Sequence, residues 1–159
     1  MLKELFWIIA FTFIPALELR ASIPYGIFRT DLHWTIVFLV AVLANAFLGV
    51  LLYFLLDKVI HLFFFIPWFQ KMYHKIVERS QKKIHAAVEK WGFWGFVIFI
   101  GIPLPGSGTY TAAVGAYALG MGYKRFILAN FLGVLIAGII VTILCLAGGS
   151  GFEIFIKKI

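Results

Sequence analysis

Gly101-Ile102-Pro103-Leu104-Pro105-Gly106-Ser107-Gly108 decides how this chain folds. Two prolines two residues apart, with glycines on both sides, cannot continue an α-helix, because each proline lacks an N–H and crowds the preceding turn. The octet lies inside Trp91 to Tyr123, a stretch of 33 residues without a charge. A spanning helix needs about 20 apolar residues, so 33 is too many for one crossing and the break falls near the middle. The spacing predicts a half-helix from Trp91 to Gly101, a turn, and a second half-helix from about Thr109 to Gly120. Each reaches only the centre of a bilayer, so the pair reads as a re-entrant hairpin.

Outward from this stretch, the composition points the same way. Of 159 residues, 63% are hydrophobic and 13% charged, and the mean hydropathy is +1.01. Soluble domains carry about 25% charged residues. Such a chain cannot clothe a water-facing surface, which makes it an integral membrane protein built of helices. Two further uncharged runs, Leu32 to Leu56 and Phe126 to Phe152, hold 25 and 27 residues and suit one crossing each. Leu5 to Leu17 holds 13, too few to cross. With a break near Pro15, and with Pro24 and Gly26 interrupting the return, it reads as the descending arm of an earlier hairpin. A cleaved signal peptide is the other reading of residues 1–21, although Glu18 and Arg20 sit badly just before such a cleavage site.

The two halves resemble each other. Leu43-Ala44-Asn45 followed by Phe47-Leu48-Gly49-Val50-Leu51 recurs as Leu128-Ala129-Asn130 followed by Phe131-Leu132-Gly133-Val134-Leu135, and Ile14-Pro15 matches Ile102-Pro103. Each half is one hairpin plus one spanning helix and makes one net crossing, which turns the second copy upside-down: an inverted repeat. The expected organisation is a single membrane domain over 1–159, with repeat 1 at 1–56, a connector at 57–90 and repeat 2 at 91–152. Ala41, Asn45 and Gly49, then Ala129, Gly133 and Ala137, form small or polar stripes that read as packing seams between helices.

The net charge of +7 does not point to nucleic acid, because the basic residues cluster between membrane runs. Seven lie from Lys58 to Lys90, and Lys124 and Arg125 fall on the same side, against four at Lys3, Arg29, Lys157 and Lys158. The positive-inside bias makes the connector cytoplasmic and both termini external in a multi-pass cell-membrane protein. The connector reads either as a basic amphipathic helix on lipid headgroups or as a solvated linker.

Glu18 and Arg20 are the candidate functional residues. A charge at the bilayer centre costs about 2.5–3.5 kcal/mol even on lenient scales, so such groups mark an ion or substrate path. Arg20 would attract an anionic group and Glu18 would take up a proton; the plain alternative is a salt bridge between them. In the second hairpin Ser107, Thr109, Tyr110 and Thr111 follow Pro105-Gly106, where the N–H groups starting a half-helix suit a phosphate or carboxylate. No nucleophile–base pair, metal-ligand cluster or phosphate loop is present, so neither an enzyme nor a cofactor or metal is expected. The lone Cys145 reads as a small apolar residue.

Phe13-Ile14-Pro15-Ala16-Leu17-Glu18-Leu19-Arg20-Ala21-Ser22-Ile23-Pro24 and Pro103-Leu104-Pro105-Gly106-Ser107-Gly108-Thr109 resemble the small multi-drug export protein family of bacteria and archaea. That family is similar in turn to the DedA/VTT superfamily, with two facing re-entrant hairpins, each followed by a spanning helix. The resemblance implies a transporter, secondary and proton-coupled, for an amphipathic or anionic lipid-like molecule. Passive lipid scrambling and a non-transporting scaffold are the alternatives. It carries substrate or ion binding to Glu18, Arg20 and Ser22 with Pro15 and Pro24, and to Pro103, Pro105, Gly106, Ser107 and Thr109. Unlike DedA proteins, the second hairpin here has no charge. Membrane lipids are the expected partners, with a homodimer compatible with so thin a bundle.

Overall fold

A computed structural model describes residues 1–15, 17–58, 78, 92–104 and 107–148. Pro105, Gly106, nearly all of the connector and the residues after 148 lie outside the described residues, and with them the expected form of the connector and the expected roles of Pro105 and Gly106.

Every element among the described residues is an α-helix. In chain order they are α1 (Leu2–Phe13), α2 (Glu18–Arg29), α3 (Trp34–Lys58), α4 (Phe93–Gly101), α5 (Thr109–Ala118) and α6 (Tyr123–Ala147). The order is short, short, long, and then the same again. At 1.5 Å per residue the short helices span about 14–18 Å and the long ones about 37 Å. Among the described residues only α3 and α6, of 25 residues each, are long and apolar enough to cross a membrane.

Both hairpins turn by the same device. The residue before each proline is forced out of helical geometry by the pyrrolidine ring. Ile14 and Ile102 accordingly sit extended at the ends of α1 and α4, with ψ of 124° and 117°. A short-range backbone hydrogen bond follows at each break. Pro15 stands second in a turn closed by Leu17 N–H to the Ile14 carbonyl at 3.2 Å, and Leu104 N–H bonds the Ile102 carbonyl across Pro103 at 2.8 Å.

The return helix of the first hairpin differs from expectation. Pro24 and Gly26 do not interrupt α2, which runs unbroken from Glu18 to Arg29. Proline's fixed φ is itself helical, and Pro24 forfeits only the one N–H that would have met the Arg20 carbonyl. Gly26 is there for contact: a Cβ on it would run into Val37 of α3.

Around an apolar core that includes Ile8, Ile23, Phe96 and Phe126, polar side chains are turned inward and many large apolar ones outward. Thr12, Glu18, Ser22, Asn45, Ser107, Thr109, Asn130 and Thr142 are buried, whereas Phe6, Leu39, Leu43, Phe47, Leu128, Ile139 and Ile143 face outward. That arrangement would aggregate in water and suits a lipid surround. Both small-residue stripes are buried. A Cβ on Gly133 would stand 2.6 Å from that of Ile100 and 3.0 Å from the Val97 carbonyl oxygen, so only glycine lets α4 lie this close to α6. We expect Gly133→Leu to push these helices apart and destabilise the fold by about 1–3 kcal/mol, read as a lower unfolding temperature in detergent. On the facing seam, Asn130 packs over Gly49 and donates to the Ala46 carbonyl at 3.1 Å.

Candidate functional site

Helix α5 begins at Thr109 after Gly108, which has no side chain to cap it. The first N–H groups of a helix lack partners and carry partial positive charge. Here the missing cap comes from the other half of the chain. The Glu18 carboxylate accepts from the Thr109 N–H at 3.1 Å and the Tyr110 N–H at 3.4 Å. Asn45 of α3 adds its Nδ2 to the same Glu18 oxygen as Thr109, at 3.5 Å.

Glu18 reaches this position through an uncommon backbone. Its φ is +49°, and it is the one non-glycine residue with positive φ among those described. A left-handed residue with a side chain costs about 1–2 kcal/mol. Such strain persists where the surroundings over-determine it, and that happens most often at functional sites. The bonds to α5 supply that determination, since Glu18 is only 4% exposed.

Arg20, just over half a helical turn on, faces the turn of the second hairpin. Its guanidinium donates through Nη1 to the Leu104 carbonyl and through Nη2 to the Ser107 carbonyl at 2.5 Å and the Ser107 Oγ at 3.2 Å. The Ser107 hydroxyl also lies within bonding distance of the Ile102 and Leu104 carbonyls, at 2.8 and 2.9 Å. Carbonyls freed by the proline break are thus gathered by one serine and one arginine. Among the described residues no carboxylate lies within ion-pairing distance of Arg20, so Glu18 and Arg20 do not form the salt bridge that their spacing allows. Each reaches across to the other half instead.

The second hairpin reciprocates: Tyr110 donates its hydroxyl to the Phe13 carbonyl at the end of α1, at 2.6 Å. The structure therefore gathers Glu18, Arg20, Ser107 and Thr109 at one place, with Pro15 and Pro103 making the turns. Ser22 points elsewhere, its hydroxyl 2.8 Å from that of Thr12 on α1, and Pro24 is buried along α2. Asn45, read from sequence as a seam residue, belongs to the site. Its placement in the middle of a spanning helix was the available signal, because an amide there needs a polar partner.

A Cβ on Gly108 would collide with the Glu18 carboxylate. Gly108→Ala is therefore expected to displace that carboxylate from α5 and lower the unfolding temperature. The same change at Gly122, where a Cβ would meet nothing within 4 Å, should have little effect.

A family model matches residues 18–140, and its description reads "Putative small multi-drug export protein". The match starts at Glu18 and takes in the second hairpin turn and most of α6. No curated protein and no solved structure matches the chain. With the two apolar helices, the family match marks a membrane protein.

Proposed function

We propose that this chain, which belongs to the small multi-drug export protein family, is a secondary transporter that carries an anionic, amphipathic, lipid-like molecule past Glu18 and Arg20. In this reading both hairpins are re-entrant. They dive from opposite faces, meet tip to tip near the midplane, and are each followed by one spanning helix, so the halves are inverted copies. Helices of 9 to 12 residues followed by helices of 25 support this, as does the shared Ile-Pro turn. Broken backbone at membrane depth needs partners within the protein, and the two tips supply them to each other.

The observation that carries the reading is the Glu18 carboxylate lying on the first N–H groups of α5. Those groups form an anion site, held here by the protein's own anion. When Glu18 is protonated its hold weakens, and a substrate phosphate or carboxylate takes the N–H groups. Arg20 stands within the same cluster without a carboxylate partner, and its planar fork suits either anion. Proton uptake and anion loading then go together.

Reconstitution in liposomes tests this. A fluorescent lysophospholipid should move faster under a pH gradient, and Glu18→Gln should abolish that acceleration. Flux indifferent to both the gradient and the substitution would sink the coupled mechanism and favour passive scrambling.

A further inference from the structure

Among the described residues every group bonded to the Glu18 carboxylate is a donor: two backbone N–H groups and the Asn45 Nδ2. That set fits the ionised form. A protonated carboxyl has a hydrogen to give and needs an acceptor. Among the described residues four buried side-chain oxygens have no partner: those of Asn130 and Thr142 on α6, and two beside Glu18, Asn45 Oδ1 and Thr109 Oγ1. Asn45 is 1% exposed and Thr109 0%, so water does not reach them from outside. Orphaned buried oxygens are uncommon and call for a reason. Both belong to residues that already meet the same carboxylate oxygen, Oε2.

We propose that Asn45 and Thr109 form the acceptor side of a two-state proton site at Glu18. The inference rests on the transport reading and names the residues that hold its coupling proton. When Glu18 is ionised, Asn45 turns Nδ2 toward it. When Glu18 is protonated, the amide rotates by half a turn and presents Oδ1 to the new O–H. The Thr109 hydroxyl, three bonds from the nitrogen that meets Oε2, offers a second acceptor. One side chain thereby serves both charge states without moving the backbone. The unpaired amide oxygen is the half of the switch not in use.

The other groups around Glu18 leave this role to them. On its own helix the charged neighbour is Arg20, held by the second hairpin's carbonyls. From α5 the titratable neighbour is Tyr110, whose hydroxyl is committed to Phe13. α3 contributes the neutral Asn45. α1 and α6 carry their charged residues at their outer ends, Lys3 and Glu4, Lys124 and Arg125. The other tyrosines among the described residues pack elsewhere, Tyr25 on Phe11 and Tyr53 with Tyr117 and Tyr123.

The test follows Glu18 protonation in the purified full chain in nanodiscs, by infrared titration of its carboxylic-acid carbonyl band, identified by its loss in Glu18→Gln. Thr109→Val keeps the backbone N–H and removes an oxygen with no partner in the ionised state, so it acts on the acid form alone. We expect its titration midpoint to fall by about one pH unit, a tenfold loss of proton affinity. Asn45→Leu should shift the acid band to the frequency of a carboxyl without a bound acceptor. A wild-type band that titrates while both variants match it overturns the proposal and leaves proton coupling standing. Absence of any titrating Glu18 band in the wild type overturns both, and makes Glu18 a fixed cap.

Discussion

Glu18→Ala is expected to lower stability by about 2–5 kcal/mol and to stop transport. The stability loss follows from the buried N–H of Thr109 and the part-buried N–H of Tyr110, left without an acceptor; a fully buried orphan costs about 1–3 kcal/mol, a part-buried one less. Thermal unfolding in detergent reads the first effect and liposome flux the second. Glu18→Gln separates them. Its amide oxygen can still accept, so most of the fold should survive, while the exchangeable charge is gone and pH-driven flux with it. The backbone provides an independent check. Glycine in a helix is ordinarily less stable than alanine by about 1 kcal/mol, but at φ +49° the order should invert, with Glu18→Gly more stable than Glu18→Ala. The usual order would show that the left-handed turn is absent.

Arg20→Lys is expected to fail nearly as completely as Arg20→Ala. One planar guanidinium spans the Leu104 carbonyl and the Ser107 carbonyl and hydroxyl. A single ammonium on a flexible stem cannot span these acceptors and still face a substrate anion. Both variants should lose transport at least tenfold and unfold at lower temperature, with Lys recovering only part of the stability. If Arg20→Lys transports normally, charge alone matters and the bridging geometry does not.

The parts of this architecture that were legible in the sequence are those written in short-range chemistry. Proline restricts the preceding residue, so Ile14-Pro15 and Ile102-Pro103 announced their breaks. Uncharged runs of 25 and 27 residues without a proline announced α3 and α6 in the same way. Pro24 misled because the same chemistry permits two outcomes: inside a packed helix, one missing hydrogen bond is tolerated. The contacts at the site were not legible, because they join positions some 90 residues apart. Nothing local to Glu18 says that its carboxylate will cap α5, or that its backbone will turn left-handed to do so. The charge pair stood out by its cost in lipid, but its partners depended on how the halves dock. Asn45 was read for its spacing with Ala41 and Gly49, which describes a seam and is silent about the acid across from it.

The reciprocal ties between the hairpins bear on how the chain is made. Residues 1–58 leave the ribosome well before residues 92–148, and until the later piece arrives Arg20 lacks its acceptors at Leu104 and Ser107 and Glu18 has Asn45 but not the N–H groups of α5. The earlier half must therefore wait at the membrane as an incomplete intermediate, open to quality-control proteases. A chain stopped after α3 should be degraded rapidly. The same fragment co-expressed with a second one starting just before α4 should be rescued, each half acting as the other's chaperone.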